Sequence, residues 1–231
     1  MKSEALTVGG IPAILWGKPS ERIYIHVHGK MSCKENAGPF ARLAEEKGYQ
    51  TLSFDLPEHG ERKCNPEYRC DVWNGMRDLS VIADAAFSGW KAISLFACSL
   101  GAYFSLNAYA GLPFVRCLFQ SPILDMAYLI QRMFAWFGVT EEALYEKREI
   151  ATPIDPLRWD VYQYVLGHPV NTWDVPTSIL YGGKDQLQSR KIVRDFAARH
   201  GCHLTISESS EHPFMAPEDE GIVAQWLREN I

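Results

Sequence analysis

The chain has 231 residues, 47% of them hydrophobic and 22% charged, an ordinary globular balance that excludes disorder and low-complexity scaffolding. Its 23 Lys and Arg nearly offset 28 Asp and Glu, leaving a formal charge of −5, so bulk charge draws it to neither nucleic acid nor an anionic membrane. No apolar run reaches the roughly 18 residues of a membrane span, and Met1–Leu6 lacks the apolar core of an export signal, which together predict a cytoplasmic protein.

Strands and helices alternate along the chain. Leu6–Val8 and Ala13–Trp16 flank Gly9-Gly10, a turn dipeptide, and predict an opening β-hairpin. Arg22–His28 is rich in β-branched and aromatic residues and reads as a strand ending at Gly29. A helix is predicted over Pro39–Lys47, stopped by Gly48, a residue suited to the left-handed turn past a helix end. Gln50–Asp55 reads as the next strand, and Val72, Met76, Leu79, Ala83 and Ala86 form the stripe of an amphipathic helix. Ala92–Cys98 is apolar almost throughout, as a central parallel strand covered on both faces requires. Leu100–Ala110 reads as a helix and Phe114–Gln120 as a strand. After a break, the alternation resumes with a strand at Thr177–Gly182, a helix over Gln188–His200, a strand at His203–Ser207 and a helix over Glu218–Asn230. Short links between such units imply a mostly parallel central sheet flanked by helices, in one domain over residues 1–231.

The break is residues 122–173, helix-compatible but without a convincing strand, and divided into short helices by Pro153, Pro156 and Pro169. An insertion here lies above the C-terminal edge of the sheet, where open α/β folds bind ligands, and it is expected to form a small helical cap. It is dense in aromatic residues. Part of that surface, with Trp136, Phe137 and Trp159 as the candidates, is expected to line an apolar acyl or alcohol pocket.

Six cysteines (Cys33, Cys64, Cys70, Cys98, Cys117 and Cys202) form no C-x-x-C pair and no Cys/His quartet, so no metal site and no disulfide framework is expected. Cys64 and Cys70 flank a polar loop, but in a reducing compartment all six are expected to be free thiols. The glycine-containing loops also lack a phosphate-binding pattern, and no organic cofactor is implied.

Ala97-Cys98-Ser99-Leu100-Gly101 lies where the central strand turns directly into a helix. Such a turn strains its central residue and projects the side chain from the sheet edge, and its neighbours two positions away must be small. Ala97 and Gly101 meet that condition. Taken alone, a serine here is as readily a helix N-cap, worth about 1 kcal/mol. Three further segments fall where a nucleophile would need them. His26-Val27-His28-Gly29-Lys30 ends an earlier strand and offers a backbone N–H past the glycine. Asp185 follows a strand through Gly182-Gly183-Lys184, and His212 follows the last strand. The order Ser99, Asp185, His212 is nucleophile, acid and base.

With these segments in place, the whole chain resembles the α/β-hydrolase superfamily. Asp55-Leu56-Pro57-Glu58-His59-Gly60-Glu61-Arg62 is similar to its D-x-P-x-H-G-x-S segment, His28-Gly29 to its oxyanion loop, and Ala97–Gly101 to its G-x-S-x-G elbow. Ala97 stands where the first glycine is usual, and Arg62 where a small residue is usual. The resemblance implies an α/β-hydrolase fold and a serine hydrolase that cleaves a small or medium carboxylic ester through an acyl-enzyme. Ser99 attacks, His212 takes the proton, Asp185 orients the imidazole, and the N–H groups of Lys30 and Leu100 hold the oxyanion. Amide, peptide or thioester cleavage is the alternative chemistry, and a binding protein without catalysis the alternative class; the complete Ser99/Asp185/His212 set argues against the latter.

Other polar residues compete for these roles. Asp125 is the second candidate acid, whereas Asp174 precedes its strand and faces the wrong edge. His26 is expected to pack, hydrogen-bonded, inside the fold, and His28 and His59 to brace loops. His200 and His203 read as structural, and Cys98 alternates away from the site. Lys30 could favour an anionic substrate, though long lysines usually extend into solvent.

Overall fold

Gly9 and Gly10 adopt φ of +55° and +87°, the left-handed pair that a two-residue hairpin turn demands and that costs a glycine little. They join β1 (Ser3–Val8) to β2 (Ile11–Trp16) in an antiparallel pair. The computed structural model describes every residue except Cys64 and Pro66. After the hairpin come β3 (Arg22–Val27), α1 (Gly38–Glu46), β4 (Gln50–Phe54), α2 (Val72–Gly89), β5 (Ala92–Cys98), α3 (Leu100–Ala108) and β6 (Cys117–Gln120). The chain closes with β9 (Thr177–Gly182), α7 (Arg190–His200), β10 (His203–Ser207) and α8 (Asp219–Asn230). The eight-stranded sheet runs β1-β2-β4-β3-β5-β6-β9-β10, parallel from β4 onward, with β10 as an edge strand held only by β9.

The nearly continuous apolar run of β5 follows from its place in that order. Ile93, Leu95 and Ala97 feed the core shared with α2 and α3, and Phe96 feeds a second core on the opposite face with Phe40 and Trp226. Burying both faces of a strand selects apolar side chains at most positions; Ser94 is the exception, fully buried with no hydrogen-bond partner for its Oγ among the described residues. β6 starts three residues later than Phe114, and α7 starts at Arg190 because Ser189 caps it, its Oγ accepting from Ile192 N at 3.3 Å. The five described cysteines are free; Cys64, and with it any approach to Cys70, lies outside the described residues. No helix among the described residues is long and apolar enough to cross a membrane.

Between β6 and β9 the chain forms α4 (Met126–Phe137), α5 (Glu141–Lys147) and α6 (Trp159–Gly167). Asp125 caps α4 by accepting from Tyr128 N at 2.8 Å, and Thr140 caps α5. A ribbon of β7 (Glu149–Ile150) against β8 (Leu157–Arg158) separates the second and third helices, where no strand was expected. Two residues per strand are too few for an alternating pattern to register in sequence.

His26 departs from expectation in one respect. Its ring stacks on Phe96 at 4.6 Å in the second core, but Nδ1 has no hydrogen-bond partner among the described residues. Burial pushes its pKa from 6.5 down to about 3, and that of His28 down to about 4. Both rings stay neutral in the folded protein at pH values where the unfolded chain takes up protons. Stability is therefore complete above about pH 6.5 and falls as the pH drops toward 4, by about 1.4 kcal/mol per pH unit for each ring. Denaturant midpoints at about pH 7 and about pH 4.5 should show this slope, and His26→Phe should flatten it by one ring's share. An equal slope in the variant would contradict the assignment.

Candidate active site

Ser99 occupies the turn between β5 and α3 at φ +52° and ψ −118°, a conformation that costs a non-glycine residue about 1–3 kcal/mol. The surrounding backbone holds it there. Ser99 N–H donates to Gln120 O at 3.1 Å, and its carbonyl accepts from Ala102 N at 3.0 Å and Ile123 N at 3.2 Å. Gly101 cannot be replaced: a Cβ there would lie 2.4 Å from the His28 carbonyl oxygen and 2.8 Å from that of Val27. Although Ser99 stands at the N-cap position of α3, its side chain makes no cap bond. Its Oγ lies 2.7 Å from Nε2 of His212 instead.

Asp185 and His212 reach this point from neighbouring strands. Added side chains at Gly182 and Gly183 would strike the Ser210 carbonyl at 2.7 Å and Glu208 at 2.8 Å, so the Gly-Gly pair lets the two loops run side by side. Gly183 N–H donates to Ser207 O at 2.7 Å and Lys184 N–H to Ser210 O at 3.0 Å, knitting them together. Oδ1 of Asp185 accepts from Leu187 N and Gln188 N at 2.7 and 3.2 Å, while Oδ2 lies 2.8 Å from His212 Nδ1. A carboxylate oxygen accepts, so Nδ1 carries the proton and the Nε2 lone pair faces Ser99 Oγ. All three sequence-derived candidates thus lie in one hydrogen-bonded chain. Asp125 is occupied at the start of α4, and His203 opens β10 on an exposed position.

The loop carrying Lys30 is braced by two histidines. Leu56 N–H donates to Nε2 of His28 at 3.1 Å, which puts the proton on Nδ1, 2.7 Å from the Gly29 carbonyl. Met31 N–H donates to Nε2 of His59 at 3.2 Å, and His59 Nδ1 faces the Pro57 carbonyl at 2.7 Å. Burial holds both rings below the usual imidazole range, which preserves the acceptor lone pairs these bonds need. Because C=O and N–H point oppositely across a trans peptide, the His28 bond to Gly29 O also fixes the direction of Lys30 N–H. Gly29 lies against Ser99, a Cβ there being 3.1 Å from Ser99 Cβ. Leu100 N–H opens α3, where helix geometry supplies no acceptor.

Ser99 and Leu100 line a cavity of about 390 Å³. Its wall is mainly aliphatic, with Met126, Leu129, Ile130 and Met133 from α4 at helical spacing and Val161 from α6, and it is completed by Tyr103 and Phe104 from α3. Trp136, Phe137 and Trp159, the aromatic residues expected at such a pocket, are not among its lining residues. Trp136 and Phe137 follow Met133 by three and four residues, one turn beyond the cavity; Trp136 is 36% exposed, with Arg132 over its ring at 5.1 Å. Trp159 packs edge-on against Tyr145 and Tyr162, with ring centroids at 5.0 and 6.2 Å. The insertion's aromatics mostly seal it internally and against α2, as Tyr164 does against Trp73.

Most of the charged side chains that line the cavity are paired, while Glu58 accepts from Cys70 N at 2.7 Å. Lys30 meets Asp155 at 2.9 Å, Arg69 meets Glu149 at 2.6 Å, and Arg158 meets Asp71 at 3.1 Å, each bond joining the insertion to the rest of the chain. Sequence reasoning missed Gln188, a buried side chain whose Oε1 accepts from Leu124 N and Asp125 N at 3.1 and 2.9 Å. It ties the Asp185 loop to the start of the insertion, and no local pattern marks it. Arg62, the departure from the D-x-P-x-H-G-x-S segment, pairs with Asp78 and donates to the Asp55 carbonyl at 2.9 Å. No cluster of three or more His, Cys, Asp or Glu is arranged to hold a metal among the described residues.

This sheet order, with its strand–serine–helix turn and an insertion after β6, is that of the α/β-hydrolase fold. Solved structures share it over nearly the whole chain. Est1E from Butyrivibrio proteoclasticus, with bound ferulic acid, superposes with a TM-score of 0.79 at 18% identity, covering 98% of this chain and 96% of that one. Mouse alpha/beta hydrolase domain-containing protein 10 gives 0.77 at 17% identity, covering 99% and 98%. A monoacylglycerol lipase from Paleococcus ferrophilus gives 0.67 at 17% identity, covering 95% and 98%. No family model and no curated protein matches the chain in sequence.

Proposed function

We propose that the chain is a serine hydrolase of small or medium, uncharged carboxylic esters. The observation that carries this reading is the hydrogen-bonded chain from Ser99 Oγ through His212 to Asp185, set on a strained turn that faces a mainly aliphatic cavity. Ser99 Oγ attacks the ester carbonyl carbon while His212 Nε2 takes its proton, and Asp185 stabilises the imidazolium so formed. The tetrahedral oxyanion is held by the N–H groups of Leu100 and Lys30, the first favoured by the α3 dipole and the second oriented through His28. Collapse returns the proton to the leaving alkoxide and leaves an acyl-enzyme. His212 then deprotonates water, which attacks the acyl carbon and releases the acid and Ser99.

Two further features support the substrate class. Lys30 is engaged by Asp155, so its ammonium is not a free site for a substrate carboxylate. The structural neighbours include a Pyrococcus furiosus esterase and a monoacylglycerol lipase. The insertion over residues 122–173 acts in this reading as a cap that shapes the acyl pocket within a single domain. The test is turnover of p-nitrophenyl acetate and butyrate together with labelling by an alkyl fluorophosphonate, mapped by peptide sequencing. Turnover with one label on Ser99 is expected; labelling elsewhere with Ser99 untouched overturns the proposal.

A further inference from the structure

A second cavity of about 320 Å³ adjoins the first, and among the described residues the two share only Tyr103 and Met126 in their walls. Tyr103 lies on α3 four residues past Ser99, about 6 Å along the helix axis. Met126 opens α4 directly above it, a flexible side chain suited to filling an irregular gap. The same helices serve both spaces. On α6, Val161 lines the first and Val165, one turn on, the second. Beyond the partition the wall is mixed, with Leu124, Val165, Ile192 and Phe196 as its apolar part and Asp125, His168, Asn171, Asp195 and Arg199 as its polar part. Tyr103 is 2% exposed, and its hydroxyl has no hydrogen-bond partner among the described residues. The ring therefore holds its place by bulk and packing, with no bond tethering it.

Resting on the ester-hydrolase reading above, we propose that Tyr103, backed by Met126, is the residue that sets the acyl-length limit. The cavity behind it is a ready extension for the distal methylenes of a longer fatty acyl chain. In the native protein an acyl group bound to Ser99 ends against the phenol ring. Removing the ring joins the two spaces and lets a chain continue between α4 and α7.

The experiment compares kcat/KM for p-nitrophenyl esters from acetate to laurate in wild type, Tyr103→Phe, Tyr103→Ala and Met126→Ala. Calorimetric binding of laurate to each protein provides a readout that needs no turnover. Tyr103→Ala should raise the laurate-to-butyrate ratio of kcat/KM by at least about tenfold, the scale on which pocket size discriminates apolar chains. It should also bind laurate more tightly, whereas Tyr103→Phe retains the native cut-off. Met126→Ala, which opens the other side of the partition, should shift the ratio in the same direction and serves if Tyr103→Ala fails to fold. A purely structural Tyr103 would lower the denaturation midpoint of Tyr103→Ala and leave both the ratio and laurate binding at wild-type values, and that result overturns the proposal. Absence of any ester turnover in wild type would instead defeat the ester reading, and laurate binding would still decide whether the two spaces join.

Discussion

Ser99→Ala should yield a folded protein that takes no fluorophosphonate label and turns over no ester above background, a loss on the order of 10⁶ in kcat. The size of the effect follows from what the hydroxyl does. It is the bond-forming atom, and without it only oxyanion binding and substrate positioning remain. The substitution should be mild for the fold, since Ser99 Oγ bonds only His212, itself 11% exposed at the side chain and therefore partly within reach of water. Alanine keeps the Cβ that packs beside Gly29. A denaturation midpoint close to wild type would separate lost chemistry from lost structure. Retained turnover in a folded Ser99→Ala protein would remove the serine mechanism.

Asp185→Asn should cost about 10⁴ in kcat with little change in KM. The asparagine amide can still accept at Oδ1 from Leu187 and Gln188, so the loop keeps its shape. Its NH2 group then points at His212 Nδ1 and selects the opposite tautomer, with the proton on Nε2 facing Ser99. The base is present and wrongly protonated. Asp125→Asn is the control, because asparagine caps a helix as well as aspartate and Asp125 is occupied at α4. Equal losses in the two variants would return the acid role to question, and a loss confined to Asp125→Asn would reassign it.

Much of the fold could be read from periodicity because the sheet is parallel and covered on both sides. Ala92–Cys98 shows the same limits in sequence and structure, since a strand with two buried faces leaves a run that is apolar at all but one position, Ser94. The positions of Ser99, Asp185 and His212 at strand exits were legible for a related reason: close passage of backbones leaves small residues, such as Gly101 and the Gly182-Gly183 pair, as local marks. The cavity lining was not. Met126, Leu129, Ile130 and Met133 share the helical stripe with Trp136 and Phe137, and only the end of the cavity, a tertiary fact, separates the two groups. Aromatic density drew attention to side chains of the insertion that pack among themselves, while the insertion's share of the wall came from Met, Leu, Ile and Val. Gln188 and the missing partner of His26 Nδ1 were equally hidden, because side-chain partners remote in sequence leave no periodic trace.

In the proposed mechanism the seating of His212 ties activity to an edge of the sheet. Ser99 follows β5, which has neighbours on both sides, whereas His212 follows β10, which has only β9. The two residues thus belong to regions that open with different free energies, the edge yielding well before the centre. An excursion that frays β10 and its loop releases Nε2 from Ser99 while the central strands stay paired. Inactivation on warming then tracks a sub-global opening and precedes the cooperative melt, so a thermal-inactivation curve and a calorimetric one describe different events in the same molecule.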